Sequence, residues 1–225
     1  MKKIKMLLIA LCCTCYAIDA QNVNVDSRGR IVSIRAVDEN TDTEGSKYIN
    51  KNFTPIVIAQ FKDKIYNGRY NALNGEMEVN IGDNKVLLLD NNVDYEIKFS
   101  QSSKLYRTES FINNKGVSKK GFLVVVNETN KSALLKEESI TFHKKVNAAS
   151  SYEKDIPARY VRNKDVYYID YNDTITYISQ KKKDLLKAFP NEASKLKSFI
   201  KKNKINLKEE GDLIKVVDYI SSLSK

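Results

Sequence analysis

The segment from residue 93 to residue 99 alternates between apolar and charged side chains. Its apolar members are Val93, Tyr95, Ile97 and Phe99, and a charged residue follows each of the first three. A period of two is the spacing of a β-strand that has one buried face and one solvated face. The chain must therefore supply neighbouring strands, and a core against which this apolar face can pack.

Turn residues separate this strand from similar segments before it. Asn74-Gly75 precedes an alternating run over residues 76–81, and this pair favours the positive φ angles of a type I′ hairpin turn. Asn91-Asn92 marks a later connection. Short turns between consecutive strands favour antiparallel pairing. The region 53–99 therefore predicts an antiparallel meander.

The strand pattern extends over most of the chain and then gives way to helices. About ten short strands are predicted between residues 23 and 178, a number and spacing typical of a sandwich, a roll or a partly open barrel. From residue 180 the apolar positions follow the helical period, which predicts about three short amphipathic C-terminal helices. The predicted class is α+β, mainly β. Residues 21–179 form the predicted antiparallel β domain, and residues 180–225 a helical cap packed on the same domain.

Residues 1–20 have the three parts of a secretory signal peptide, with lysines first, an apolar run next and Ala20 at the end. We therefore expect a periplasmic, outer-membrane-associated or secreted protein. The alternative is a lipoprotein, because Cys12, Cys13 and Cys15 lie in this leader, although none of them follows the small residue that acylation requires. No later segment approaches the ~18 apolar residues of a transmembrane helix.

The sequence after residue 20 is poor in catalytic residue types. It has no cysteine and one histidine, His143, which the strand pattern places with Thr141 on a polar face. This composition excludes disulfides, zinc–thiolate centres, cysteine nucleophiles and histidine-rich metal sites, but not an all-carboxylate site. No nucleophile elbow or phosphate-binding loop occurs. We predict no catalytic residue, cofactor or metal.

Two strand patterns have an alternative functional interpretation. Glu76 and Glu78 lie on one strand face, about 7 Å apart, which could suit glycoside hydrolysis but is equally explained by a solvated face. Tyr167, Ile169 and Tyr171 share one face of another strand. Tyrosine is common in half-buried strands, and the alternative is an aromatic platform for sugar rings.

Positive charge is concentrated at the C-terminal end. Residues 181–225 carry 12 lysines against six acidic residues, in a chain of net charge +10. Such a field could attract a polyanion, whereas the alternative is a solvated helix surface that maintains solubility. Nucleic acid is not predicted, because export is expected and no recognition module occurs. The candidate polyanion-binding residues are Lys181, Lys182, Lys183, Lys195, Lys197, Lys201, Lys202 and Lys204.

Four segments carry a resemblance to a known family. They are Gly45-Ser46-Lys47-Tyr48, Arg69-Tyr70-Asn71-Ala72, Glu76-Met77-Glu78-Val79 and the run from Lys201 to Lys215. On these segments the chain resembles a family of uncharacterised secreted bacterial proteins of the envelope or periplasm. The resemblance implies secretion and one β-rich unit with a lysine-rich helical end. It implies no activity.

The sequence as a whole predicts an exported protein without a catalytic role, acting as an interaction or envelope-associated module. Its expected partner is another envelope protein or an anionic envelope polymer. One alternative is a binder of anionic envelope polymers or lipid headgroups through the basic C-terminal helices. The other is a carboxylate-dependent hydrolase.

Overall fold

The computed structural model describes residues 23–25, 31–37, 43–61, 64–148 and 154–223. For residues 23–25, 31 and 32 the description covers the backbone alone. The predicted signal peptide and its cleavage position after Ala20 lie outside these residues. Within them, every helix is too short or too polar to cross a membrane.

Most of the described chain is β-structure. The strands are β1 (Val23–Val25), β2 (Ile31–Ala36), β3 (Thr54–Ile58), β4 (Ile65–Asn71), β5 (Glu76–Gly82), β6 (Lys85–Leu88), β7 (Glu96–Phe99), β8 (Leu105–Ile112), β9 (Ser118–Glu128), β10 (Ser132–Glu137), β11 (Ile140–His143), β12 (Arg159–Arg162), β13 (Val166–Tyr171) and β14 (Thr174–Tyr177). Twelve of these described strands form one sheet, and β11 pairs with β12 alone. Every paired strand is antiparallel to its neighbours. The predicted mainly-β class with an antiparallel sheet is confirmed.

The order of the large sheet is β1-β2-β6-β5-β4-β3-β7-β8-β9-β10-β13-β14. Strands β3 to β6 form most of the meander predicted over residues 53–99, without its last strand, and β7 to β10 form a second meander. Strand β7 joins the two because it returns to pair with β3 instead of following β6. The ends of the order, β1 and β14, are not paired with each other, so the sheet is not closed into a barrel.

The hairpin turns differ in one respect from the prediction. Asn74-Gly75 does connect β4 to β5, but the loop is longer than two residues and only Gly75 has positive φ, at 73°. Two-residue turns with positive φ at both central positions connect β5 to β6 at Asp83-Asn84 and β13 to β14 at Asn172-Asp173. Asparagine and aspartate tolerate this conformation because their short polar side chains bond locally.

The two halves of the large sheet bury opposite faces. On β9, Phe122 and Val124 belong to a core shared with β3 to β8, whereas Leu123 belongs to a core that contains Leu135 and Tyr168. Adjacent residues of a strand point to opposite faces, so these two cores lie on opposite sides of the sheet. Strand β14 also comes close to β8, which curls the second half around its core.

The three predicted C-terminal helices are present as α1 (Lys182–Ala188), α2 (Ala193–Lys202) and α3 (Glu210–Leu223). They form a third core with the sheet, in which Leu134 and Ile169 meet buried leucines, valines and isoleucines of the helices. The rings of Phe199 and Tyr219 stack with centroids 4.1 Å apart, joining α2 to α3. The helices therefore form a fixed cap on β10 and β13.

The segment 43–53 lies across the outer side of β4. Its backbone bonds to β4 and to the strand pair β11–β12, through Ile49 N to the Tyr70 carbonyl at 3.2 Å and Tyr160 N to the Glu44 carbonyl at 2.8 Å. Gly45 has φ +82°, and a Cβ there would lie 2.7 Å from the carbonyl oxygen of Tyr160. We call residues 43–53 the covering segment, because the side chains beneath it are buried.

Candidate functional site

Eight lysines of the cap form the surface that the sequence predicts to bind a polyanion, and we call them the basic cap surface. They are Lys181, Lys182, Lys183, Lys195, Lys197, Lys201, Lys202 and Lys204. Seven are exposed, and the half-buried Lys182 donates to the carbonyl oxygen of Lys197 at 3.4 Å. Helices α1 and α2 bring all eight to one cap.

Nearby acidic groups form no ion pair with this surface in the described structure. Glu210 is paired with Lys136 at 2.8 Å, and Asp212 with Lys215 at 2.6 Å. Asp184 accepts from the Ser179 hydroxyl, and Asp218 from the amide of Asn127; both donors are neutral, so these two carboxylates keep their charge and offset part of the lysine excess. Within the described part of the chain, none of the eight lysines forms an ion pair. Their charge is therefore directed to solvent.

The spacing of the lysines along the helices has opposing effects on the helices themselves. Lys197 and Lys201 lie four residues apart on α2, and Lys183 and Lys187 lie four residues apart on α1. Side chains at this spacing are neighbours on a helix surface, and like charges there destabilise it by roughly 0.2–0.5 kcal/mol per pair. Lys187 and Lys201 also lie in the last turns of their helices, where the helix dipole stabilises a cation by about 0.3–1 kcal/mol. The two effects are of similar size, so the lysines cost the helices little.

A hydrogen-bonded group fixes the cap against the sheet. Glu210, at the start of α3, accepts from Lys136 Nζ and from the Tyr167 hydroxyl, each at 2.8 Å. Burial alone would raise the pKa of Glu210, but these two hydrogen bonds outweigh it and lower the pKa. Burial and the bond to Glu210 raise the pKa of Tyr167, so its hydroxyl stays protonated and keeps donating.

Beside this group lies a cleft of about 520 Å³, which we call the cap cleft. Its walls are the β8–β9 hairpin tip (residues 113–119), the entry to β13 (residues 163–167), the end of β14 (residues 177–180) and two leucines of the cap, Leu207 and Leu213. Gln180 lines the cleft and Lys181 follows it directly, so the basic cap surface begins at the rim.

The acidic groups of the cap cleft are all engaged in ion pairs. Glu137 is paired with Lys119 at 2.6 Å and also accepts from the Tyr168 hydroxyl at 2.8 Å. Asp165 is paired with Arg162 at 3.0 Å. Two further lysines line the cleft, Lys115 and Lys164, and neither has an ion-pair partner among the residues the structure describes. The unpaired charge of the cap cleft is therefore positive, like that of the basic cap surface.

The carboxylate pair on β5 differs from its prediction. Glu78 does not face solvent: it is 1% exposed beneath the covering segment, and Glu76 is half-buried beside it. Glu78 accepts from Arg35 at 2.7 Å, Arg69 at 2.9 Å and Asn71 at 3.2 Å. Burial alone would raise the pKa of Glu78, but these contacts lower it. Such a carboxylate, saturated with donors, suits structure better than proton transfer.

The predicted tyrosine platform is covered. Tyr167 and Tyr171 are half-buried against the helices, and Ile169 between them is fully buried. Tyr168, on the opposite face, is also fully buried. His143 is exposed on β11, as expected from its position beside polar Thr141. Among the described residues no group of three or more His, Cys, Asp or Glu side chains is placed to hold a metal ion.

The residues that line the cap cleft were missed by sequence reasoning. Asn114, Lys115, Lys164, Tyr177 and Gln180 stand in different turns and strand ends, and the fold alone brings them together. One available signal was the polar character of these turns, which is also what any exposed turn shows.

Comparisons with known proteins add no assignment to this geometry. No family model, curated protein or solved structure matches the chain. The function therefore has to be inferred from the side chains of the basic cap surface and the cap cleft.

Proposed function

We propose that the protein is an exported, non-enzymatic module that binds an anionic polymer of the cell envelope through the basic cap surface. The observation that carries the proposal is the set of eight lysines without ion pairs in the described structure, of which six are on helices α1 and α2, Lys181 directly precedes α1 and Lys204 follows α2. Export itself rests on the signal-peptide pattern of residues 1–20.

Electrostatics favours this proposal over solubility alone. Solubility requires charge of one sign somewhere on the surface. Here eight lysines without ion pairs in the described structure occur within 24 residues of one helical cap, so their fields add. A fixed cap also limits the conformational entropy that the lysine-bearing helices would lose on binding, because Glu210, Lys136 and Tyr167 already hold it in place.

The test compares two variants of equal charge. In the first, Lys195, Lys197, Lys201 and Lys202 of the basic cap surface are changed to Gln. In the matched control, four exposed lysines outside the cap are changed to Gln, namely Lys51, Lys64, Lys85 and Lys98. Binding of the purified protein to polyphosphate is measured from about 50 to 500 mM NaCl, a range over which charge screening increases strongly.

We expect binding that weakens steeply with salt and falls at least about tenfold in the cap variant, because a lysine near an anionic surface contributes about 1 kcal/mol. The control should change it by less than about threefold. Equal losses in both variants, or binding that does not depend on salt, would overturn the proposal. Vesicles with anionic lipid replace polyphosphate in a second arm, and a preference for them would assign the surface to lipid headgroups instead.

A further inference from the structure

We infer that the cap cleft binds one acidic sugar unit of the polymer held by the basic cap surface. This inference rests on the proposed function and names the chemical class of its ligand. It starts from the five side chains that line the cleft and have no hydrogen-bond or ion-pair partner within the described chain. They are Asn114, Lys115, Lys164, Tyr177 and Gln180.

The size and composition of the cleft fit a small polar ligand. Its volume of about 520 Å³ lies within the range of roughly 300–1,000 Å³ that is usual for ligand sites. Leu207 and Leu213 form an apolar floor, being 6% and 1% exposed. The rim, in contrast, consists largely of amides and charged groups.

The two carboxamides favour a ligand with adjacent hydroxyl groups. Each amide offers an acceptor oxygen and an NH₂ group with two donors, so Asn114 and Gln180 can both donate to and accept from neighbouring hydroxyls. Tyr177, a residue 37% exposed, adds an aromatic ring and a phenolic hydroxyl. A tyrosine side chain can make two contacts at once: its ring packs on an apolar sugar face, and its hydroxyl forms a hydrogen bond with a sugar hydroxyl.

The unpaired charge selects an acidic form of such a ligand. Glu137 and Asp165 are already neutralised by Lys119 and Arg162, so Lys115 and Lys164 supply the remaining charge. A carboxylate, sulfate or phosphate substituent on the sugar would meet these two ammonium groups. A neutral sugar would leave them without a counter-charge, and we therefore expect it to bind more weakly.

Both walls are ordered by their own hydrogen bonds. The Asn113 side-chain oxygen accepts from the backbone N–H of Lys115 at 2.9 Å and of Val117 at 3.0 Å, which fixes the hairpin tip. On the other wall, the Asn163 amide donates to the hydroxyls of Ser139 at 3.1 Å and Thr141 at 2.9 Å. A site built in advance binds with a smaller entropic loss.

Because the cap cleft lies next to the basic cap surface, one polymer chain could bind to both. Gln180 lines the cleft, and Lys181 next to it opens the basic cap surface. A chain with one unit in the cleft would continue directly over α1 and α2. The cleft would then select the sugar, and the lysines would add affinity that depends on charge but not on sugar identity.

The test uses a panel of trisaccharides made from galacturonate, glucuronate or sulfated galactose, each with its neutral counterpart. Binding to the purified protein is measured by calorimetry. The cleft variant carries Asn114→Ala and Gln180→Ala. A matched control carries Asn67→Ala and Gln101→Ala, two exposed amides elsewhere on the molecule. Thermal unfolding verifies that each variant is folded.

We expect at least one acidic trisaccharide to bind more tightly than its neutral form, and the cleft variant to weaken it by about tenfold or more. The Asn67/Gln101 control should leave it unchanged. Binding of no member of the panel, or equal binding by the cleft variant, would overturn the inference. Polyphosphate, which has no sugar, separates the two proposals: the cleft variant should retain its binding, and a loss confined to the basic cap variant supports the proposed function independently.

Discussion

The Nε atom of Arg69 donates to Oε2 of Glu78 at 2.9 Å, and both side chains are almost fully buried, at 3% and 1% exposed. The Arg69 guanidinium lies between two rings, 3.7 Å from the centroid of Tyr48 and 4.1 Å from that of Phe53. Both rings belong to the covering segment. The ion pair thus joins β4 to β5, and the ring contacts of Arg69 attach the covering segment to these strands.

The first prediction concerns the removal of this buried charge. Glu78→Gln should destabilise the protein by about 3 kcal/mol or more, because it leaves the buried Arg69 without its counter-charge. Urea unfolding measures the loss. Glu76→Gln is the control, since Glu76 is 27% exposed and pairs with Arg35 at the edge of the network, and it should cost less than about 1 kcal/mol. Equal losses would show that burial of the pair contributes nothing.

The second prediction concerns acid. The pKa of Glu78 is lowered in the folded protein, so near pH 4 the unfolded chain binds more protons at this group. Its contribution to stability is complete above the ordinary glutamate pKa of about 4.3 and is lost as the pH falls through the lower folded value. Urea midpoints measured between about pH 6 and pH 3 should therefore fall less steeply in Glu78→Gln than in the wild type. Parallel pH profiles would contradict this.

The third prediction concerns a second buried carboxylate. The Tyr106 hydroxyl donates to Oε2 of Glu138 at 2.6 Å, and Glu138 is 3% exposed. Tyr106→Phe keeps the ring and removes one donor to a charged group, which should cost about 1.5–3 kcal/mol. Tyr177→Phe removes a hydroxyl that has no partner among the described residues and should cost less than about 0.5 kcal/mol. Chemical denaturation measures the free energy of unfolding of both variants. Equal losses would show that the bond from Tyr106 to Glu138 adds no stability.

The fourth prediction separates backbone strain from a close contact. Gly45 and Gly116 both have positive φ, at 82° and 78°. A Cβ at Gly45 would meet the Tyr160 carbonyl, whereas nothing lies within 4 Å of one at Gly116. Gly116→Ala should therefore cost only the conformational strain, about 1–2 kcal/mol. Gly45→Ala should cost clearly more and loosen the covering segment, which amide hydrogen exchange at Ile49 would detect. A matching cost at both positions would contradict the close contact.

The fifth prediction concerns the basic cap surface. Lys197→Glu replaces a like-charge pair on α2 by a Glu four residues before Lys201, the favourable order on a helix. Stability should rise by roughly 0.5 kcal/mol in thermal or urea unfolding while polyphosphate binding weakens. A variant that is less stable than the wild type would show that Lys197 contributes to the fold.

Local patterns predicted the elements, because strand and helix periods are properties of short segments. The alternation at Tyr95 and Ile97, and the apolar positions of α3, were sufficient for the sheet and the helices. A similar alternation over residues 76–81 led to the prediction of a solvated face for Glu78. A period of two shows which residues share a face of the strand, but it does not show whether another segment covers that face. The cover comes from the covering segment, whose place depends on long-range bonds such as Ile49 N to the Tyr70 carbonyl.

The same distinction applies to the proposed site. The lysines of the basic cap surface could be found from the sequence, because they are close together along the chain, within or next to two consecutive helices. The cap cleft could not, since Asn114 and Gln180 line the same cleft only after β14 has curled towards β8. Nothing in either local sequence encodes that approach.

The sheet order has a kinetic consequence. Ile56 of β3 pairs with Phe99 of β7, although three strands separate them along the chain, and Lys136 reaches Glu210 across 74 positions. Such pairings require large loops to close, and the entropy of loop closure is lost before the stabilising contacts form. This slows folding to milliseconds or seconds. We expect the hairpins with Asp83-Asn84 and Asn172-Asp173 turns to form early on refolding. The joining of β7 to β3 would then be the late, rate-limiting event.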